Sequence, residues 1–120
     1  MFTPLLSNKD IIIDIHFNSS SNKNASGTEV FIPSKYNNIE EEIAIKISSI
    51  ISHTLGIKNR GVKTENKSYH KKLAILRNIP NCINILIEIC FCTNEEDCIT
   101  YNNNKKLLAI NLAKLIKDYI

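Results

Sequence analysis

Two short, almost entirely apolar segments place the strongest limit on what this chain can fold into. They are residues 11–17 (IIIDIHF) and 83–92 (INILIEICFC), and both are rich in Ile. Each is far shorter than the roughly 18 to 20 apolar residues that span a bilayer. Short β-branched runs of this kind are typical of strands buried in an α/β sheet. Residues 28–32 (TEVFI), closed by Pro33, predict another strand, and residues 61–63 predict a short edge segment.

Apolar residues at helical spacing predict the helices that accompany these strands. Residues 39–55 form one such stretch, with Asn38 and Glu41 as a capping pair and Gly56 at its end. Asn94 is expected to cap a short helix over residues 95–97, and an apolar stripe over residues 107–119 predicts a separate C-terminal helix. Strands that alternate with helices indicate an α/β fold with a mostly parallel sheet flanked by helices. We expect residues 1–120 to form a single domain.

The charge balance limits the partners that the chain can have. Fifteen Lys and Arg residues against 12 Asp and Glu residues give a net charge of +3, without a dense basic run and without Trp. We therefore expect no nucleic-acid partner, whereas a polyanionic matrix such as a bacterial cell wall is compatible with this charge. No apolar run is long enough for a membrane span, and no signal peptide opens the sequence. We accordingly expect no membrane partner and synthesis in the cytoplasm.

Four cysteines lie within seventeen residues, at positions 82, 90, 92 and 98. Their spacing lacks the paired knuckles that a four-cysteine zinc site needs. A disulfide scaffold is also disfavoured, because a chain of this length with an Ile-rich core does not need one. The interpretation that we prefer is four buried, small apolar side chains in a reducing compartment.

His16 and Glu88 interrupt the two apolar strands, and each is followed by a polar loop. Ligands bind at the carboxyl ends of parallel strands, where both residues are expected. A carboxylate among Ile side chains is costly unless a cation, a metal or hydrogen-bond donors lie beside it. One interpretation is metal-assisted hydrolysis, with His16 as a Zn²⁺ ligand and Glu88 as a base. The other is two separate buried polar residues, each satisfied by backbone donors.

Five segments of the sequence carry motifs that occur together in one protein family. They are residues 14–19 (DIHFNS) with 27–31 (GTEVF), then 55–63 (LGIKNRGVK), 73–77 (LAILR), 86–94 (LIEICFCTN) and 104–109. In the same order, they resemble the segments "SIHxNA…GxE", "LGxxNRGVK", "LxVLR", "LVELGFxxN" and the closing helix of that family. The family is the zinc-dependent N-acetylmuramoyl-L-alanine amidases, found among bacterial autolysins and phage endolysins.

The resemblance implies a function and a set of site residues. It implies that His16 ligates Zn²⁺ and that Glu88 is the catalytic carboxylate. The substrate would be peptidoglycan, cleaved at the amide between N-acetylmuramic acid and L-alanine by a zinc-activated water. Glu29, Asn18 and Arg77 would lie in the second shell or the substrate groove. The protein would be made in the cytoplasm and act on the cell wall, either outside the cell or on release at phage lysis.

Two zinc ligands of the family have no counterpart in this sequence. They are a His on an opening strand and a Glu on the helix that follows it. We therefore expect a partial catalytic domain that lacks the first strand and helix of the family, with impaired activity. The alternative is a non-catalytic remnant that only binds the cell wall. His53 and His70 occupy no ligand position of the family, and Cys90 is expected to be a small core residue rather than a substitute ligand.

The missing elements also predict an interaction surface. Without them, the sheet edge around Ile11, Ile13 and Ile15 would be unpaired and its apolar face uncovered. Such an edge recruits another chain. We therefore expect a homo-oligomer that forms through this edge.

Overall fold

The computed structural model describes residues 10–67 and 82–120. These residues form four strands and two α-helices, with a 3₁₀ turn at Glu65–Lys67. In chain order, the elements are β1 (Asp10–Asn18), β2 (Thr28–Ile32), α1 (Asn38–Leu55), β3 (Asn59–Thr64), β4 (Cys82–Phe91) and α2 (Glu95–Lys117).

The four strands form one sheet in the order β1-β4-β2-β3. β1 pairs with β4 in parallel, β2 pairs with β3 in parallel, and β2 pairs with β4 in antiparallel orientation. Two of the three pairings are therefore parallel, and the predicted α/β fold with a mostly parallel sheet is confirmed. Because β1 and β4 are parallel, their carboxyl ends meet at the same end of the sheet.

The core lies between the helices and one face of the sheet. That face carries Val30 and Ile32 of β2 and the odd-numbered Ile residues of β4, which form one cluster with buried residues of both helices. Alternation along a strand sends Leu86 and Glu88 of β4 to the opposite face. Glu88 belongs to that opposite face, so the sheet separates the candidate site from the helices.

The helix α1 begins one residue earlier than the sequence predicts. Its cap is Asn37 rather than Asn38, and the capping box is completed by Glu40 rather than Glu41. The physical reason is burial: Glu40 is 1% exposed, and its second oxygen accepts a hydrogen bond from the backbone N–H of Asn84 at 2.9 Å. The predicted C-cap is confirmed, since Gly56 has φ of 67° in the left-handed region.

A single helix replaces the two that were predicted after β4. α2 runs over 23 residues from the Asn94 cap, so the prediction of a break was wrong. Packing against α1 accounts for this continuity, because the Thr100 hydroxyl donates to the Leu55 carbonyl at 2.6 Å and Leu108 is buried in the core. Leu107, placed on the apolar stripe, is instead half exposed.

The strand β1 lies at the outer edge of the sheet in the described part of the chain. Ile15 and Phe17 there are 57% and 44% exposed, which is the kind of surface on which the predicted homo-oligomer depends. Association through this edge stays a prediction, and sedimentation at tens of micromolar tests it: a sharp monomer would contradict it. Within the described ranges, neither helix is long and apolar enough to cross a membrane.

Candidate active site

Three charged or titratable side chains form a row across the sheet. His16 on β1 and Glu88 on β4 are direct partners in the strand register, and Glu88 is also the partner of Glu29 on β2. Partners on neighbouring strands have side chains on the same face of a sheet. The sequence therefore brings together residues that are 72 positions apart (88 − 16), at the carboxyl ends of β1 and β4.

Glu88 lies in the middle of this row. Its Oε1 atom is buried and has no hydrogen-bond partner in the described part of the chain. Burial raises the pKa of the Glu88 carboxyl, the nearby His16 lowers it, and the carboxylates of Glu29 and Asp14 raise it further. The Thr28 hydroxyl, which donates to the Glu88 carbonyl at 3.0 Å, fixes this part of β4 against β2.

Glu29 is a buried carboxylate whose oxygens are fully engaged. One oxygen accepts from the Asn18 amide at 2.7 Å. The other accepts from Arg60 Nε at 3.3 Å and from Lys63 Nζ. Glu29 is only 6% exposed, so these donors compensate the cost of its burial. Through this one side chain, the end of β1 is connected to the middle strand β2 and the edge strand β3.

A bulge in β3 allows both cations to reach Glu29. Arg60 and Lys63 are three positions apart and would point to opposite faces of a regular strand. The register shifts between Thr28 and Val30, so that β3 has one more residue than β2 over this stretch. Gly61 has φ of 91° there, a conformation that suits glycine. The extra residue restores both side chains to the face of the sheet that carries Glu29.

His16 is half exposed on β1, and its Nε2 atom lies 2.9 Å from the Asp14 carboxylate. Asp14 is two residues earlier on the same strand and therefore shares its face. His53 is exposed on α1, away from this row. His70 lies outside the described residues.

The described residues supply only part of the zinc site that the family resemblance implies. A catalytic zinc normally has three protein ligands, and no group of three or more His, Cys, Asp or Glu side chains within residues 10–67 and 82–120 could hold a metal. Glu88 Oε1, buried without a partner, and the adjacent imidazole of His16 fit a part of such a site. By themselves they do not complete it.

Cys90 is a core residue, as the sequence analysis expects. It is 1% exposed, and burial raises the pKa of its thiol to about 12. Its sulfur lies 3.9 Å from the carbonyl of Asp97. A metal-ligating cysteine must lose its proton, and this one retains it at neutral pH. All four cysteines of the chain are free thiols, but only Cys90 is buried. The prediction of four buried cysteines was wrong for the other three, because Cys92 is exposed and Cys82 and Cys98 are half-buried.

Asp97 connects the loop after β1 to the end of β4. Its carboxylate accepts from the Ser26 hydroxyl at 2.6 Å, from the Gly27 N–H at 3.0 Å and from the Phe91 N–H at 2.9 Å. Asp97 is in the first turn of α2, where a negative charge is favourable. This contact holds in place the polar loop that leads from His16 to Glu29.

The structure brings together four of the five site residues predicted from the sequence: His16, Asn18, Glu29 and Glu88. The fifth, Arg77, lies outside the described residues. The roles assigned to all five remain predictions.

Three further residues contribute to this region without having been predicted from the sequence: Arg60, Lys63 and Asp97. For the two cations, the signal was available in the segment NRGVK, where a glycine between basic residues is a sign of a bulge.

Comparison with known proteins shows which family the chain belongs to. A family model described as N-acetylmuramoyl-L-alanine amidase matches residues 6–118, so the chain belongs to that family. The amidase from Clostridium difficile 630 has 27% sequence identity and a TM-score of 0.71, over 94% of this chain and 59% of that one. The catalytic domain of the CD27L endolysin, which targets Clostridia difficile, has 32% identity and a TM-score of 0.61, over 96% and 58%.

The curated relatives are longer proteins. A 38.4 kDa protein of Clostridium perfringens is 32% identical over 110 residues, which cover 89% of this chain and 30% of that protein. The chain therefore spans less than a third of that relative and less than two thirds of the two solved structures. Because the coverage is partial, the activity of a complete family member is not shown for this chain by these matches.

Proposed function

We propose that this chain acts on the cell wall as a peptidoglycan amidase that cleaves the bond between N-acetylmuramic acid and L-alanine. The observation that carries the proposal is Glu88, whose buried Oε1 has no partner among the described residues and which lies beside His16. A structural carboxylate would have its donors in place, as Glu29 does. A carboxylate prepared for proton transfer keeps an oxygen available for the substrate or for water.

Glu88 acts as the general base in this proposal. It accepts a proton from the attacking water and then donates that proton to the amine of the leaving L-alanine. Because burial raises its pKa, the carboxylate is a stronger base than an exposed glutamate. The efficiency of such a transfer increases as the pKa of the base approaches the working pH.

Zinc is the cofactor that we propose for this reaction, with His16 as one of its ligands. When bound, zinc polarises the carbonyl of the substrate and lowers the pKa of water. The other ligands would come from outside the described residues. Metal analysis of the purified chain tests this: His16→Ala should abolish whatever zinc binds. Tightly bound stoichiometric zinc that survives this substitution would contradict the role of His16.

Hydrolysis of purified cell walls tests the activity itself. The measurement is the release of new N-terminal alanine, which an amidase produces and a glycosidase does not. We expect the parent chain to release it and Glu88→Gln to release it at least about a hundredfold more slowly. Glu96→Gln, at an exposed site on α2, is the matched control and should behave as the parent. Equal release by the parent and Glu88→Gln would contradict the proposed mechanism.

A non-catalytic module that binds the cell wall is the second candidate. It is favoured by the lack of a three-ligand metal group within residues 10–67 and 82–120. Sedimentation with insoluble walls separates the two candidates. Binding to walls without release of alanine, with or without added zinc, would favour the second.

A further inference from the structure

Arg60 and Lys63 have hydrogen-bonding capacity that the contacts described so far do not use. Arg60 donates through Nε to Glu29 and through Nη1 to the Ser26 carbonyl at 3.5 Å. In the described part of the chain, its Nη2 group has no partner. Lys63 donates to Glu29 and to the Arg60 carbonyl at 3.2 Å, which leaves one of its three N–H groups. Both side chains are about one third exposed, at 32% and 31%.

The charges of this group do not cancel. Two cations share one carboxylate, so Arg60, Lys63 and Glu29 together carry a charge of +1. A single cation would have been enough to neutralise Glu29. The second cation therefore adds one positive charge to this group.

Contacts with the rest of the sheet orient both cations. The guanidinium of Arg60 lies over the ring of Phe91 at 5.1 Å, which orients its plane. The bulge at Gly61 brings Lys63 to the same face of the sheet. Bulges of this kind often lie next to active sites, where they redirect a side chain. A planar fork of donors beside an ammonium group is suited to a carboxylate.

We propose that Arg60 and Lys63 form a subsite that binds a carboxylate of the substrate peptide. The subsite is one strand away from Glu88, because Glu29, which both cations contact, is the register partner of Glu88. The inference rests on the proposed function, in which the peptide begins at the L-alanine released by the cut. The next residue of such a peptide is D-glutamate, whose free carboxylate is the ligand that the subsite would take.

Two soluble ligands that differ in one group test the subsite. They are N-acetylmuramoyl-L-alanyl-D-glutamate and the same compound with this carboxylate converted to an amide. Dissociation constants are measured by NMR titration with the Glu88→Gln chain, which prevents turnover. We expect the acid to bind about fivefold more tightly than the amide, the effect of one partly exposed charge pair.

Two substitutions should change this preference in opposite directions. Lys63→Met lowers the charge of the group to zero and should abolish the preference for the acid. Glu29→Gln raises the charge to +2 and should increase that preference, an outcome that a purely structural network does not produce. Lys106→Met, at an exposed site on α2, is the control and should leave both dissociation constants unchanged. If Lys63→Met does not fold, as judged by circular dichroism, Glu29→Gln decides the test.

The subsite is overturned if the acid and the amide bind equally, if neither binds, or if the preference survives Lys63→Met and Glu29→Gln unchanged. This outcome is distinct from failure of the proposed function. If the chain prefers the acid but releases no alanine from walls, the subsite is supported and the amidase activity is contradicted. If the chain releases alanine but binds the acid and the amide equally, the amidase activity is supported and the subsite is contradicted.

Discussion

Glu29 and Glu88 are direct neighbours on the same face of the sheet, and their surroundings differ sharply. The Glu29 carboxylate has an amide and two cations as donors. The Glu88 carboxylate has a buried oxygen without a partner in the described part of the chain, and its pKa is raised by burial. Two glutamates at adjacent register positions thus differ: donors compensate the burial of Glu29, whereas a buried oxygen of Glu88 has none in the described part of the chain.

We interpret the difference as that between a structural role for Glu29 and the catalytic role proposed for Glu88. An unsatisfied buried oxygen costs free energy of folding, and such costs are concentrated at functional sites. Glu29 connects three strands and contributes to stability. Glu88 has a buried oxygen that nothing in the described part of the chain satisfies, so we expect substitution of the two residues to have opposite effects on stability.

The largest effect expected is on the rate of hydrolysis. Loss of a general base lowers a rate by about 10² to 10⁴-fold. The rate of alanine release from walls should therefore fall to this extent in Glu88→Gln. The circular dichroism spectrum of the variant should be unchanged. A fall of less than tenfold would place Glu88 outside the chemistry and remove the contrast with Glu29.

The next effect in size is on stability. Glu29→Ala leaves Arg60 and Lys63 without their shared carboxylate and should lower the free energy of unfolding by about 2 to 4 kcal/mol. Urea denaturation measures this change. Glu96→Ala, at an exposed position, should change it by no more than about 0.5 kcal/mol. Equal losses in the two variants would show that the network contributes nothing to folding.

A smaller loss of stability is expected from Asn18→Ala. It removes the 2.7 Å hydrogen bond to Glu29 but leaves both cations in place. The free energy of unfolding should fall by about 1 kcal/mol, the usual worth of one such bond. The double variant with Glu29→Ala should be less destabilised than the sum of the two single variants, since the residues share this bond. Additive losses would mean that the bond is not formed in solution.

The smallest effect expected is a pH dependence that belongs to Glu88. Its pKa is higher in the folded chain than the reference value of 4.5. Ionisation therefore costs stability: the penalty is absent below the unfolded pKa and fully present above the folded pKa. With metal chelated, Glu88→Gln should unfold at a higher temperature than the parent at pH 7, and the difference should disappear near pH 4. A difference that stays constant over this range would contradict the raised pKa.

The sequence predicted those features that depend on local patterns. The strands follow from short apolar runs, and the end of α1 follows from Gly56. The proximity of His16 and Glu88 was predictable because both lie at the ends of buried strands, and the carboxyl ends of parallel strands meet.

What the sequence left undetermined depends on contacts between distant parts of the chain. The bulge at Gly61 places Arg60 and Lys63 beside Glu29 only because of how β3 pairs with β2. The start of α1 is displaced by one residue because Glu40 reaches Asn84, 44 positions away. The continuity of α2 depends likewise on its packing against α1.

The pairing of β1 with β4 has a consequence for synthesis of the protein. In the described sheet, β1 is the first strand to leave the ribosome, yet its only neighbour is β4. His16 and Glu88 are separated by 72 residues (88 − 16), which take roughly 4 to 14 s to translate at about 5 to 20 residues per second. During that interval the strand that pairs with β1 in the described sheet has not yet been made. The nascent chain is therefore expected to need a chaperone at this stage more than at any later one.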